Sequence, residues 1–92
     1  MILRIRHRGL RRLHERNDGR YLPPQHVDKI TDMLALLDIA AGPEDVDVPG
    51  WRLHSLRGEY RGFWSISVSA NERIVFRFEG ADVTDVDFLD YH

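Results

Sequence analysis

The chain has 92 residues, a formal net charge of −2 and no cysteine. A chain this short is expected to form one domain over residues 1–92, with any active site in a surface groove rather than a deep cavity. The missing cysteine excludes disulfides, thiol nucleophiles and thiolate metal sites, and no apolar run is long enough for a signal peptide or a spanning helix, so a cytoplasmic protein without a membrane partner is expected.

The charge is unevenly distributed. Twelve of the 13 basic residues are arginine, and seven of them (Arg4, Arg6, Arg8, Arg11, Arg12, Arg16 and Arg20) lie in the first twenty positions. Arginine is the residue suited to bidentate phosphate contacts. Aspartate dominates elsewhere, especially from Asp82 to Asp90.

In chain order, Ile2–Ile5 is expected to form a short strand that Gly9 breaks. Leu10–Arg16 is predicted as a short helix with Leu10 and Leu13 on one face and a basic face opposite. Asn17, Asp18 and Gly19 mark a turn. Pro23 and Pro24 suit the opening of a second helix, in which Val27, Ile30, Met33, Leu34 and Leu37 repeat at helical spacing. Gly42 and Pro43 are expected to stop it. From Trp51 onward the period changes to two. Leu53–Leu56 is predicted as a strand, and Trp64, Ile66 and Val68 alternate with Ser65, Ser67 and Ser69 in a second. Ala70–Glu72 is read as a hairpin turn. Ile74, Phe76 and Phe78 then alternate with Arg73, Val75 and Arg77, and Val83–Leu89 forms a last strand after a turn at Gly80–Asp82. Leu34, Leu37, Trp64, Ile66, Phe76 and Phe78 are expected to be largely buried. Helices followed by antiparallel strands make an α+β domain.

Alternation puts Arg73 and Arg77 on the face opposite Ile74, Phe76 and Phe78, where a ligand lying across the sheet could meet them. Arg57 and Arg61 flank a polar loop at the rim of the sheet. The chain ends Asp90-Tyr91-His92, which offers an imidazole, a phenol and a terminal carboxylate side by side. Cleavage of RNA through its 2′-hydroxyl needs proton transfer and stabilisation of a phosphorane, which histidine and arginine can supply. Taken singly, a surface arginine and a terminal histidine are ordinary features. The other histidines, His7, His14, His26 and His54, show no zinc-ligand spacing, and there is no Gly-rich phosphate loop.

Four strings taken together resemble the HigB toxins of the RelE superfamily: Leu53-His54-Ser55-Leu56-Arg57-Gly58, Gly62-Phe63-Trp64-Ser65-Ile66-Ser67-Val68, Asn71-Glu72-Arg73-Ile74-Val75-Phe76, and the terminal Asp90-Tyr91-His92. Their order and spacing fit without gaps, and the N-terminal half fits as well. The resemblance implies a RelE-like α+β fold, with two N-terminal helices packed on a small, largely antiparallel sheet. It implies a toxin of a type II toxin–antitoxin system, an endoribonuclease that cuts messenger RNA in the A site of the 70S ribosome. Its partner would be a HigA-like helix-turn-helix antitoxin, through which alone it would meet operator DNA. No metal or organic cofactor is implied. The catalytic residues carried over are His92, Tyr91, Arg73 and Arg57, with Arg61, Arg77 and His54 assigned to RNA or ribosome binding. Arg57 stands where the family commonly has lysine. Arginine does not readily lose a proton, so phosphate orientation suits it better than a base role. Two alternatives stay open on this reading: a ParE-like inhibitor of DNA gyrase, and a weakly active or non-catalytic relative that binds the antitoxin.

Overall fold

The computed structural model describes residues 1–90. The first helix, α1, spans Arg8–Arg16 and so begins two residues earlier than the spacing of Leu10 and Leu13 predicts. Gly9, expected as a breaker, lies buried inside its first turn. The helix can start there because His7 caps it: the ring Nδ1 accepts a hydrogen bond from the Leu10 N–H at 3.2 Å, satisfying a donor that a helix start leaves open. Glycine suits position 9 because a Cβ would stand 3.0 Å from the Tyr21 carbonyl oxygen, a tight contact. Asn17 closes the helix in the left-handed conformation, φ 55°, a role that asparagine tolerates.

The second helix, α2, spans Val27–Ile39 and is opened by a 3-10 turn at Pro24–His26. Ile30, Met33, Leu34 and Leu37 are its buried face, as their spacing predicts. It ends three residues before Gly42. Ala40 is already extended, and the Ala41 N–H donates to the Asp45 carboxylate at 2.9 Å instead of continuing the helix.

Four strands follow: β1 (His54–Ser55), β2 (Trp64–Ser67), β3 (Glu72–Glu79) and β4 (Asp82–Asp90). They lie side by side in that order, each antiparallel to the next. β1 is shorter than the expected Leu53–Leu56, and Glu72 belongs to β3 rather than to the turn. The β2–β3 hairpin is tied to the helical layer by Lys29, whose Nζ donates to the Val68 carbonyl at 3.0 Å. His26 lies 3.3 Å from Glu72 on the same side of the molecule.

Ile2–Ile5 is not a continuous strand. It meets β4 through two isolated parallel bridges, Ile2 to Val83 and Ile5 to Val86, and so runs along the far edge of β4 from β3. The cause is an irregularity in β4. The register with β3 shifts between Val75 and Arg77, and Asp85 there has φ 52°. Two residues, Asp85 and Val86, thus stand against Phe76, which is the geometry of a β-bulge. Regular alternation would send Val83 and Val86, three apart, to opposite faces. The bulge lets both face the core, and both are fully buried.

The core is a single layer between the helices and one sheet face, formed by Leu10, Ile30, Met33, Leu37, Ile66, Ile74 and Phe76 with their neighbours. Leu34 and Leu37 are buried as expected, whereas Trp64 and Phe78 are only partly covered and pack at its margin. Period-two alternation also predicts Ser65 and Val75 at the surface. Both are fully buried, because the opposite face of the sheet is not bare. Among the described residues no helix is long and apolar enough to cross a membrane.

Candidate active site

The face of the sheet turned away from the helices carries most of the residues singled out from the sequence. Directly paired residues of antiparallel strands point to the same side. His54 pairs with Ser65, Ser65 with Val75, and Val75 with Asp87, which makes one row across all four strands. Arg73 lies two residues from Val75 on β3, paired with Ser67 and Leu89, so it belongs to the same face one row nearer the chain end. Its guanidinium reaches back over the first row, where Nη1 donates to Ser65 Oγ at 3.5 Å. Arg73 and His54 thus both meet Ser65, one by hydrogen bond and the other by strand pairing.

His54 is exposed, and its Nδ1 lies 3.3 Å from the Arg52 carbonyl. A carbonyl can only accept, so the neutral ring carries its proton on Nδ1 and presents Nε2 as an acceptor. Arg52 adopts φ 51° to bring that carbonyl round. In that tautomer, Nε2 faces outward on the open side of the sheet, where a ligand's hydroxyl could meet it.

Arg77 is drawn elsewhere. Its Nε donates to Asp85 Oδ2 at 2.7 Å. Arg6 Nε donates to the other oxygen of the same carboxylate at 3.3 Å, and Arg4 Nη1 stands 3.7 Å from that oxygen. The Asp85 carboxyl is held below its ordinary range, first by the hydrogen bond from Arg77 and then by the charge of Arg6, although burial pushes the other way. Arg6 also lies over the Phe63 ring, 5.8 Å from its centroid. Arg73, Arg77 and Arg6 lie across the middle of this face, which explains why Ser65 and Asp85 are shielded from water.

The N-terminal arginines therefore do not form one basic patch. Arg4 and Arg6 turn to the sheet. Arg20 grips Asp18 through two hydrogen bonds of 3.0 Å. That contact, foremost among several, holds the Asp18 carboxyl down to about 2. Arg8, Arg11, Arg12 and Arg16, together with Glu15, line a groove of about 160 Å³ along α1, with Arg8 and Arg12 over the Tyr21 ring.

Of the sequence-derived candidates, Arg73 and His54 share the central rows, and Arg77 joins the Asp85 cluster on the same face. Arg57 and Arg61 are both exposed and bracket the 3-10 turn Gly58–Tyr60. Tyr91 and His92 lie outside the described residues. The last described residue, Asp90, pairs with Glu72 beside Arg73. Ser65 and Asp85 were missed. Ser65 resembled any outward serine of an alternating strand. Asp85 did leave a signal, since Val83-Thr84-Asp85-Val86 breaks period two with an acid inside an apolar strand. Among the described residues, no group of three or more His, Cys, Asp or Glu is gathered as metal ligands.

The family model described as "RelE-like toxin of type II toxin-antitoxin system HigB" matches residues 3–92. The chain belongs to the HigB-like toxin family. It is 38% identical over 92 residues to a protein of Proteus vulgaris named Endoribonuclease HigB, covering 100% of both chains. Among solved structures, YafQ from Escherichia coli strain BL21(DE3) superposes with a TM-score of 0.61 at 10% identity, over 98% of this chain and 91% of that one. A YoeB/ParE toxin from Agrobacterium tumefaciens does so with a TM-score of 0.55 at 21% identity, over 79% and 80%. These two likenesses concern the fold. Membership of a toxin–antitoxin family carries with it an antitoxin partner. On this HigB-like scaffold, the outer face offers guanidiniums, a hydroxyl and an imidazole within adjacent rows.

Proposed function

We propose that this HigB-like toxin, acting as one domain in the cytoplasm, is an endoribonuclease that cuts messenger RNA in the A site of the translating 70S ribosome. A HigA-like helix-turn-helix antitoxin neutralises it and brings it to operator DNA. The observation that carries the reading is the full-length identity of 38% to a protein named as an endoribonuclease. The meeting of Arg73 and His54 at Ser65 supports it, since it sets a guanidinium for the phosphorane beside an imidazole that can hold the strand.

The reaction uses the chain's own groups and calls for no metal ion. The 2′-hydroxyl gives up its proton, the 2′-oxygen bonds to the adjacent phosphorus, and the bond from phosphorus to the 5′-oxygen breaks. The 5′-oxygen takes up a proton as it leaves. The products are a 2′,3′-cyclic phosphate and a 5′-hydroxyl. His92 transfers a proton, with Tyr91 positioning the nucleotide by stacking. Arg73 and Arg57 stabilise the charge of the phosphorane, while His54, Arg61 and Arg77 hold the strand.

The test is 5′-end mapping of transcripts after induction, with and without a translation block. New 5′-hydroxyl ends inside reading frames, lost when translation is blocked, are the expected result. Ends bearing 5′-phosphate would point to a metal-dependent hydrolysis and overturn the mechanism. Growth arrest without new ends, accompanied by inhibition of gyrase, would overturn the activity. Deleting His92 alone should reduce cleavage about 10²–10⁴-fold while antitoxin binding persists.

A further inference from the structure

Asp85 is a buried acid in the middle of a strand, with a backbone conformation that side chains rarely adopt. Its relative exposure is 5% and its φ is 52°. Aspartate tolerates the left-handed region better than most residues, yet such a conformation still costs free energy and persists where the surroundings dictate it. The surroundings here are three arginines. Oδ2 accepts from Arg77 Nε, Oδ1 accepts from Arg6 Nε, and Arg4 stands beside Oδ1. The Phe63 ring supports Arg6 from another side.

This arrangement differs from a surface ion pair in two ways. One carboxylate faces three guanidiniums, so the cluster keeps a surplus of positive charge on a chain whose net charge is −2. Both close arginines are also bound through Nε, so the N–H groups of their terminal nitrogens remain for other acceptors. Arg77, Arg6 and Arg4 side chains are 38%, 45% and 69% exposed. Guanidiniums fixed at one edge and open at the other are ready to fork onto a phosphate, and little rotamer freedom remains to be lost on binding.

The position matters as much as the charge. Arg77 and Arg73 lie four residues apart on β3, on the same face, and so are separated by about 13 Å along the strand. That backbone spacing suits different phosphates of one extended RNA strand. We propose that Asp85 is a positioning residue that presets Arg77, Arg6 and Arg4 as a grip for an RNA phosphate flanking the scissile one held at Arg73. This rests on the endoribonuclease reading above and extends it to the substrate strand beyond the cleavage point. The bulge at Asp85 serves that arrangement, because it aims an acid from β4 at arginines of both neighbouring chain segments.

The test compares wild type, Asp85→Gly, Asp85→Asn, Arg77→Gln and Arg6→Gln. Asp85→Gly removes the anchor while relieving the backbone, and Asp85→Asn keeps the shape while removing the charge. Two readouts are taken: steady-state cleavage of messenger RNA on programmed ribosomes, and binding of a short single-stranded RNA at several salt concentrations. The expected result is a KM raised about tenfold with kcat within about twofold. Each arginine variant should also lower the salt slope of RNA binding by about one, whereas Arg73→Ala lowers kcat. Unchanged KM and salt slope in folded Asp85→Gly would reduce Asp85 to a structural pin. A fall in kcat alone would assign it to the chemistry, and either result overturns the proposal. Should both Asp85 variants fail to fold, Arg6→Gln and Arg77→Gln still decide, because an unchanged salt slope in both rules out the grip. A wild type that binds RNA with this salt dependence but cleaves nothing sinks the endoribonuclease reading and leaves the grip standing. A wild type that does not bind RNA overturns the grip as well.

Discussion

Arg77 and Asp85 are joined across β3 and β4 by a contact of 2.7 Å between Nε and Oδ2, made at the strand residue whose φ is 52°. The bulge, the bridging of the N-terminal segment and the placing of two valines in the core all meet at this pair. Replacing Asp85 by alanine leaves the strained conformation in place and removes the acceptor of two arginines. A loss of about 1–3 kcal/mol in a denaturant titration is expected. The folded protein holds the Asp85 proton less readily than the unfolded chain does. The stability it confers is therefore complete above the ordinary carboxylate range and disappears as the pH falls through the lowered value. Asp85→Asn should flatten that acid limb.

His7 sets a second pH dependence with the opposite kind of group. Burial pushes its pKa below 6.5, and the charge of Asp87 offsets part of this. Protonation would place a hydrogen on the Nδ1 that caps α1. The unfolded chain takes up this proton more readily, so stability falls as the pH drops below about 6.5 toward the lowered value. Thermal melts between pH 7.5 and 5 should show the decline. His7→Asn, which caps without titrating in this range, should remove most of it. An identical slope in that variant would mean that another group is responsible.

Leu37 and Phe76 are both fully buried, one on each layer of the core. Leu37→Ala should cost about 2–5 kcal/mol and Phe76→Ala about 3–5 kcal/mol. Ile39, two residues beyond Leu37, is 76% exposed, and Ile39→Ala should stay within about 0.5 kcal/mol. The contrast, read by chemical unfolding, checks the helix face independently of function.

The arginines of α1 predict the character of antitoxin binding. Arg8, Arg11, Arg12 and Arg16 share one groove, and an acidic antitoxin surface would be steered to it. Replacing Arg8, Arg12 and Arg16 by glutamine should slow association about tenfold and weaken its salt dependence, with dissociation less affected. Stopped-flow mixing at two ionic strengths makes the measurement, and unchanged rates would move the docking surface elsewhere.

Arg73 meets Ser65 through a terminal guanidinium nitrogen, so shape as well as charge is at stake. Arg73→Ala should abolish growth arrest, and Arg73→Lys should rescue it poorly, because a point charge cannot fork onto a phosphorane. Full toxicity of Arg73→Lys would show that charge alone suffices.

Local pattern was enough for the elements whose physics is local. The stripe from Ile30 to Leu37 determined α2, because only helical spacing brings those four residues to one side. The change to period two after Trp51 determined an antiparallel sheet, and with it the common face of Arg73 and Arg77. What local pattern could not reach depended on partners far away in the chain. The cap on α1 comes from a histidine, a residue with no strong preference for that role, and Gly9 reads as a breaker until the Tyr21 carbonyl is seen against it. Ser65 is covered by the Arg73 side chain reaching across from β3, so its burial is a property of neighbouring strands together. The bulge at Asp85 depends on balance: the strain of one residue is held by charges contributed from β3 and from the N-terminal segment, and neither is near it in sequence. Such long-range pairings cannot be assigned until the strands are in register, and that is why the tertiary structure alone decided where the arginines of this toxin point.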